Sequence, residues 1–250
     1  MPRIFCNAHL SLIERFELPV EAARHIQVLR LQPGTPITLF NGEGGEFNAE
    51  VLEMTRRDVY VRVHSFIPLE REAKLAVHMA IGMPANERMD WLIEKSTELG
   101  LVQLSPLMTQ HNVVKLNAER GDKKILHWNS IAAAACAQCG RNRAPKIESP
   151  ISLAQWLKNL PTNADINAPR WFFSLSPEAK PFYEQFLEVK NIELKQQAHV
   201  VMVFGPEGGW SLEEESALKA SHFTPVSLGE RTLRAETAAI AALASLSLLL

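Results

Sequence analysis

The alternation of apolar and polar positions changes at residues 66–72, where Phe66-Ile67-Pro68-Leu69-Glu70-Arg71-Glu72 forms a polar, proline-bearing join. Before the join, short runs of period two predict β-strands. A glycine-rich stretch at residues 41–45 separates the first two runs and is typical of a hairpin turn. The predicted elements are a helix over Val20–Leu31 and strands over Ile37–Phe40, Glu46–Val51 and Val59–Val63. We therefore predict a small β-barrel domain over residues 1–70 that carries one helix.

After the join, apolar runs alternate with segments of helical period. The predicted strands are Leu75–Ile81, Val102–Leu107, Trp171–Leu175, His199–Phe204 and Phe223–Leu228, and the predicted helices are Glu87–Leu99, Asn117–Cys139, Phe182–Val189 and Ala235–Leu250. Strands that alternate with helices predict a mostly parallel sheet covered by helices. We therefore predict an α/β domain over residues 73–250.

The last two strand–helix units each contain a glycine-bearing turn. Gly205–Gly209 follows the first strand and leads to Ser211, a residue type that favours a helix N-cap. Leu228–Thr237 follows the second strand and leads into a helix rich in alanine and leucine. Because ligands of open α/β sheets bind at the carboxyl ends of the strands, we predict a ligand site where these two loops meet.

The net charge of −2 argues against a protein that coats nucleic acid indiscriminately. The charges are unevenly distributed, however, because residues 115–146 carry more basic than acidic side chains. The basic ones are Lys115, Arg120, Lys123, Lys124, Arg141, Arg143 and Lys146. Such a segment predicts either contacts with phosphate groups or a solvated helix face, and the composition leaves both readings open.

The chain has 3 cysteines and no sequence typical of a secretory signal, which favours a reducing cytoplasm. Cys136 and Cys139 have the spacing of a metal-binding pair, but no second pair accompanies them. Since structural zinc takes four ligands, we predict no metal site. The apolar run Ala238–Leu250 is shorter than the roughly 20 residues that span a membrane. We therefore expect a buried or interface helix there, and no membrane association.

The two glycine loops also resemble a known signature. Gly205-Pro206-Glu207-Gly208-Gly209, followed by Leu228-Gly229-Glu230-Arg231-Thr232-Leu233-Arg234-Ala235-Glu236-Thr237-Ala238, is similar to the cofactor-binding motifs of the bacterial ribosomal RNA uridine N3-methyltransferases. These enzymes belong to the SPOUT superfamily of knotted methyltransferases. The resemblance extends to Lys95–Gly100, to Gln138–Arg143 and to the first thirty or so residues, so it covers nearly the whole chain.

The resemblance implies a PUA-like RNA-binding barrel over residues 1–70 and a SPOUT domain over residues 73–250 whose last helix threads a loop to form a trefoil knot. It implies S-adenosylmethionine as cofactor, small-subunit ribosomal RNA as partner and a homodimer whose interface adjoins the cofactor site. The expected reaction is methylation of N3 of a specific uridine. The family tends to have Lys where this chain has Arg88.

The resemblance also assigns roles to residues. The expected cofactor contacts are Leu175, Gly205, Pro206, Glu207, Gly208, Gly209, Leu228, Gly229, Leu233, Arg234 and Thr237. Arg234 is the candidate for stabilising the anion that forms when uridine N3 loses its proton, and Glu207 or Glu236 is the candidate proton acceptor. For Glu236, a role in the first turn of its helix is an equal alternative. The expected RNA contacts are Arg3, Arg30, Lys115, Arg141, Arg143 and Arg231.

Three other functions fit part of this pattern. A knotted methyltransferase acting on a ribose 2′-hydroxyl or on transfer RNA would use the same donor loops. A non-catalytic RNA-binding factor of ribosome assembly would keep the fold without the reaction. An enzyme that uses Gly205–Gly209 as a phosphate cradle ranks last, because the Lys-Ser/Thr of a P-loop is missing from this motif.

Overall fold

The computed structural model describes residues 1–112, 118–160, 168–191 and 199–247. The chain divides into two compact units. The first comprises Met1–Glu72 with Ala133–Ala144, and the second comprises Ala73–Ala132 with Pro145–Leu250. The segment Ala133–Ala144, which the sequence prediction assigned to the second domain, thus groups with the first unit.

The first unit is a five-stranded sheet with a helix beside it. Its elements are β1 (Arg3–Phe5), β2 (Ile13–Glu17), α1 (Val20–Val28), β3 (Pro36–Phe40), β4 (Glu46–Met54) and β5 (Val59–Ile67). The strand order is β1-β3-β4-β5-β2, with β1 and β3 parallel and the other pairs antiparallel. Every second residue of β5 from Val59 to Val63 is buried, as the alternation predicts, and packs with Ile4 and Ile26. The predicted helix and three strands are confirmed, whereas β1 and β2 were not predicted.

The second unit is built on a parallel sheet. Its elements are β6 (Ala76–Gly82), α2 (Asn86–Glu98), β7 (Gln103–Met108), α3 (Ala118–Cys139), β8 (Lys146–Ile147), β9 (Ile151–Ser152), α4 (Leu153–Asn159), β10 (Arg170–Phe173), β11 (Lys180–Pro181), α5 (Phe182–Asn191), β12 (His199–Phe204), α6 (Leu212–Ala220), β13 (Thr224–Ser227) and α7 (Ala235–Ser247). The end of α3, from Ala133 onward, belongs to the first unit. The strand order is β11-β13-β10-β12-β6-β7-β8, with β9 beside β7, and the described pairs are all parallel. The predicted α/β architecture with a mostly parallel sheet is confirmed.

Helices cover both faces of this sheet. On one face, α7 buries Ala239, Ala242, Leu243 and Leu246, whose spacing of three and four residues forms one apolar stripe. On the other face, α4 and α6 contribute Trp156 and Leu218 to a separate cluster. Because helices cover both faces, the sheet is accessible at the loops that follow and precede its strands. Within the described residues, no helix is both long and apolar enough to cross a membrane.

Candidate active site

The carboxyl ends of three neighbouring strands surround a cavity of about 480 Å³. Phe173 at the end of β10 is in register with Phe204 at the end of β12 on one side and with Val226 of β13 on the other. All three residues line the cavity. Because β12 and β13 flank β10, the loops that follow them, at residues 205–210 and 228–235, enclose the cavity from opposite sides. The two glycine loops that the sequence singled out thus form walls of one site.

Three aromatic side chains, those of Phe173, Phe204 and Trp210, form an apolar part of the cavity wall. The rings of Phe173 and Phe204 stack with centroids 4.2 Å apart, and the Nε1–H of Trp210 donates to the carbonyl oxygen of Phe173 at 2.9 Å. A Cβ atom at Gly205 would lie 3.2 Å from the Trp210 ring. Gly205 therefore lets the indole pack directly against the start of the loop.

The loop at residues 205–209 is fixed by close packing at two other glycines. A Cβ atom at Gly208 would lie 2.7 Å from the Cβ of His111, and one at Gly82 would lie 2.6 Å from the backbone nitrogen of Pro206. Real Cβ atoms do not approach so closely, so these neighbours pack tightly only because both positions are glycine. Nδ1 of His111 also lies 3.2 Å from the carbonyl oxygen of Gly209.

The second loop presents main-chain groups. The hydroxyl of Ser227 accepts from the amide of Gly229 at 3.2 Å and donates to its carbonyl oxygen at 3.1 Å. Gly229 has a φ of 111°, which a side chain would disfavour. Within the described part of the chain, the amides of residues 230–233 have no hydrogen-bond partner. Since residues 231–233 line the cavity, their amides are available to a ligand.

The third wall comes from the segment after β10. The hydroxyl of Ser174 donates to Oε1 of Glu215 at 2.6 Å and accepts from the amide of Ser176 at 3.0 Å. Glu215 lies in the first turn of α6, which begins with a capping box between Ser211 and Glu214. The predicted N-cap at Ser211 is thus confirmed, and the cap fixes the helix that carries Glu215.

The structure brings together most of the predicted cofactor residues. Those that line the cavity are Leu175, Gly205, Pro206, Glu207, Gly209, Leu228, Gly229, Leu233 and Arg234. Gly208 packs against His111 instead, and Thr237 lies exposed on α7 outside the lining.

The three predicted catalytic residues occupy different environments. Arg234 is exposed and lines the cavity, as does Glu207, whose Oε1 lies 3.0 Å from Nη1 of Arg88. Glu236 does not line the cavity: it is 6% exposed, and its Oε1 lies 3.8 Å from Nε of Arg88. Glu236 is therefore buried beside α2 outside the cavity wall, and its role as proton acceptor stays a prediction.

The predicted RNA-binding residues also differ in their surroundings. Arg30 and Arg231 are exposed, and Arg143 is exposed with Nη2 lying 3.3 Å from Oε1 of Glu70. Arg3 and Arg141 are not available in the same way. Arg3 donates to Glu46 and Asn142, and Arg141 is 4% exposed and paired with Glu72. Their guanidinium groups make contacts within the first unit, and the expectation that they contact RNA stays a prediction. Lys115 lies outside the described residues.

Sequence reasoning missed several lining residues. They are Phe173, Ser174, Ser176, Phe204, Trp210, Glu215, Val226, Ser227, Thr232, Ala235 and Ala238. Trp210 directly follows the glycine motif, so its position could have indicated it. Glu215 had no such signal, because only the tertiary contact with Ser174 brings it to the site.

The opposite, amino edge of the same sheet has a second cavity of about 650 Å³. The residues that line it include His78, Gln103, Glu148, Trp156, Arg170 and His199. Two of its polar side chains, His78 and Glu148, are linked through Ser105. The Ser105 hydroxyl donates to Oε2 of Glu148 at 2.6 Å, so neutral His78 donates from Nε2 to the same hydroxyl at 2.8 Å. Burial lowers the pKa of His78 to about 4.

Comparison with known proteins agrees with this geometry. A family model described as an RNA methyltransferase domain matches residues 71–247, and one described as an RNA methyltransferase PUA domain matches residues 18–63. Among the described residues, no group of three or more His, Cys, Asp or Glu side chains is placed to hold a metal ion.

Solved structures cover the whole chain. A methyltransferase from Legionella pneumophila, solved with S-adenosylmethionine bound, is 34% identical and has a TM-score of 0.88, and the match covers 98% of this chain and 96% of that one. Ribosomal RNA small subunit methyltransferase E from Neisseria gonorrhoeae, also bound to S-adenosylmethionine, is 30% identical with a TM-score of 0.86, covering 100% and 98%. The protein of the same name from Bacillus subtilis is 28% identical over 99% of this chain and 96% of its own length.

Proposed function

This chain belongs to the RNA methyltransferase family, and from that premise we propose that it transfers a methyl group from S-adenosylmethionine to N3 of a uridine in small-subunit ribosomal RNA. One observation carries the proposal: the two glycine loops wall a single cavity at the carboxyl edge of the sheet. Small-molecule sites in open α/β sheets lie at this edge. The names of the relatives support ribosomal RNA as the substrate class.

The cavity fits the proposed cofactor in size and chemistry. Its volume of about 480 Å³ falls within the ~300–1,000 Å³ typical of ligand pockets. The stacked rings of Phe173 and Phe204 offer an apolar surface, and the amides of residues 231–233 offer donors. When bound, S-adenosylmethionine supplies a methyl group activated by a sulfonium. The two loops would hold the adenosine portion through main-chain groups and so orient that methyl.

Two side chains in the cavity wall suit the acceptor's chemistry. Uridine N3 carries a proton that must leave before or during attack on the methyl group. We assign Glu207 as the proton acceptor, directly or through a water, because its carboxylate lies in the wall whereas that of Glu236 does not. Arg234 would stabilise the negative charge that spreads onto the flanking carbonyl oxygens of the base.

The RNA contacts we propose are the exposed guanidinium groups. Arg231 lines the cavity and would contact a phosphate beside the target base. Arg30 and Arg143 are exposed in the PUA-like first unit and would contact the RNA backbone there. The target base itself must be unstacked, because an enzyme that acts on a base extrudes it first.

Two architectural features belong to the same proposal. We propose that the last helix forms the trefoil knot expected of the superfamily, and that the protein is a homodimer that acts in the cytoplasm. Helix α7 is fully buried along one stripe, but Ile240, Ala241 and Ala244 on its other side are only half-buried. Small side chains allow close helix packing, so this side is the proposed dimer seam, and sedimentation as a dimer is expected.

Titration calorimetry tests the cofactor assignment. We expect the purified chain to bind both S-adenosylmethionine and its demethylated product, each with one site per chain. Absence of binding to either compound would favour the non-catalytic assembly factor and would remove the proposed function.

Mass spectrometry of nucleosides tests the acceptor. Deletion of the protein in its host should abolish N3-methyluridine in small-subunit ribosomal RNA, and re-expression should restore it. Loss of a ribose 2′-O-methyl nucleoside, or of a transfer RNA modification, would retain the donor site but overturn the acceptor assignment.

A further inference from the structure

Arg88 on helix α2 contacts two carboxylates, one in the loop at residues 205–209 and one in the first turn of α7. Its Nη1 lies 3.0 Å from Oε1 of Glu207, and its Nε lies 3.8 Å from Oε1 of Glu236. The guanidinium is half-buried between them. Arg88 is not among the residues that line the cavity, and its ion-pair partners within the described residues are these two carboxylates.

The two carboxylates mark the two cofactor loops. Glu207 lies in the middle of the loop at residues 205–209 and forms part of the cavity wall. Glu236 lies in the first turn of α7, two residues after Arg234, so its position fixes the end of the second loop. A single guanidinium therefore contacts both the first loop and the helix turn that directly follows the second loop.

The environment of Glu236 shows why the cation matters. Its side chain is buried, and within the described residues its Oε2 has no hydrogen-bond partner. A buried carboxylate is costly without a paired charge, and Arg88 is the cation beside it. An arginine suits this place because its planar guanidinium donates to Glu207 through Nη1 while its Nε edge lies beside Glu236.

We propose that Arg88 is a positioning residue for methyl-donor binding, which acts by holding Glu207 and the first turn of α7 at a fixed separation across the cavity. The inference rests on the proposed function, because it concerns the same cofactor site. Without the guanidinium, two carboxylates would face each other with no cation between them. The loops would then move apart, and the main-chain donors would no longer converge on one ligand.

The test measures the affinity for S-adenosylmethionine and for its demethylated product by calorimetry, well below the unfolding temperature of each variant. Arg88→Met should weaken donor binding by about tenfold or more, since displacement by about 1 Å is enough for such a loss. Arg88→Lys, which keeps the charge but not the fork, should lie between Arg88→Met and the wild type. Lys95→Met is the matched control, because Lys95 is on the same helix and its ion-pair partners among the described residues are Glu94 and Glu98.

A second pair of variants separates positioning from a general loss of stability. Glu236→Gln removes the buried charge while keeping the shape of the side chain. In the double variant Arg88→Met/Glu236→Gln, donor affinity should recover toward the wild-type value, because no unpaired carboxylate remains beside α7. A role in stability alone would lower the unfolding temperature of Arg88→Met and leave the donor affinity of the folded protein unchanged.

Two results would overturn the inference alone. The first is an equal donor affinity for Arg88→Met and Lys95→Met. The second is a double variant whose fold-loss in donor affinity equals the product of the fold-losses of Arg88→Met and Glu236→Gln. A wild-type protein that binds neither compound would instead overturn the proposed function, and the inference with it.

Discussion

The two edges of the parallel sheet in the second unit both contain cavities, and the larger cavity is not the proposed site. The amino-edge cavity measures about 650 Å³ and the carboxyl-edge cavity about 480 Å³. At the amino edge, His78, Ser105 and Glu148 bond to one another in a chain. At the carboxyl edge, the amides of residues 230–233 have no partner within the described residues, and two arginines are exposed. Unsatisfied polar groups that converge distinguish a binding site better than volume does.

The difference follows from how the chain connects parallel strands. Each carboxyl-end loop must turn from a strand into a helix, so its first helical amides point toward the edge of the sheet without internal partners. At the carboxyl edge, glycines at positions such as 205 and 229 keep these loops close to the cavity. At the amino edge, His78 of β6 and Ser105 of β7 bond through their side chains, and Glu148, directly after β8, accepts from the Ser105 hydroxyl.

The largest effect is expected from Arg234→Ala, which tests whether the carboxyl edge is the catalytic edge. Methyl transfer should fall by about 10²-fold or more, the scale of losing a donor that stabilises developing charge. Affinity for S-adenosylmethionine should stay within a few-fold, because the donor is held mainly by the loops. Single-turnover kinetics and calorimetry together check both parts. Methyl transfer within threefold of the wild type would remove Arg234 from the catalytic role.

A second test disturbs the packing between β6 and the loop that follows β12. In Gly82→Ala, the added methyl group would lie 2.6 Å from the nitrogen of Pro206, so the loop at residues 205–209 must shift. We expect a loss of about 1–3 kcal/mol in the free energy of unfolding and about tenfold weaker donor binding. Denaturant titration and calorimetry measure the two quantities.

Gly121→Ala is the control for that substitution. Gly121 lies within α3, and a Cβ atom there would meet nothing within 4 Å. It should stabilise the protein by about 0.5–1 kcal/mol, because alanine loses less backbone freedom in a helix, and donor affinity should not change. If Gly82→Ala binds the donor as tightly as Gly121→Ala does, the packing of β6 against Pro206 does not position the loop.

The order of strands and helices in the second unit was predictable because long apolar runs ended at glycine or proline. The short strands were not: β8, β9 and β11 have two residues each, too few to show a period, and β1 is formed by its parallel pairing with β3. The glycine loops were found from their motif, whereas Arg88, Ser174 and Glu215 reach the site through contacts distant in sequence. Arg3 and Arg141 show what residue type alone does not reveal. It gives the charge of a side chain but not the group with which that charge pairs.

A third test addresses the amino edge. The pKa of His78 is lowered to about 4 by burial, from 6.5 in the unfolded chain. The unfolded state therefore binds the proton first, and stability is lost as the pH falls below 6.5. The loss should reach about 2 kcal/mol by pH 5. His78→Gln cannot take up this proton, so its free energy of unfolding should approach that of the wild type between pH 7.5 and 5.

Denaturant titrations of both proteins at these two pH values measure the effect, and His78→Gln should keep donor affinity within about twofold. Parallel stability curves would contradict a neutral, buried His78. A large loss of donor affinity would show that the two edges of the sheet are coupled, against the comparison drawn above.

The smallest effect is expected from Ser211→Ala, which tests whether a capping contact at the carboxyl edge also contributes to ligand binding. Ser211→Ala removes the capping box at the start of α6 and should cost about 1 kcal/mol in the free energy of unfolding. Donor affinity should stay within about twofold, because Ser174 still bonds to Glu215 and keeps the wall in place. Ser216→Ala is the control, since its exposed hydroxyl donates only to the Leu212 carbonyl within the same helix. If Ser211→Ala weakens donor binding tenfold while Ser216→Ala does not, the cap also positions the donor site. The polar groups of this edge would then act as one network.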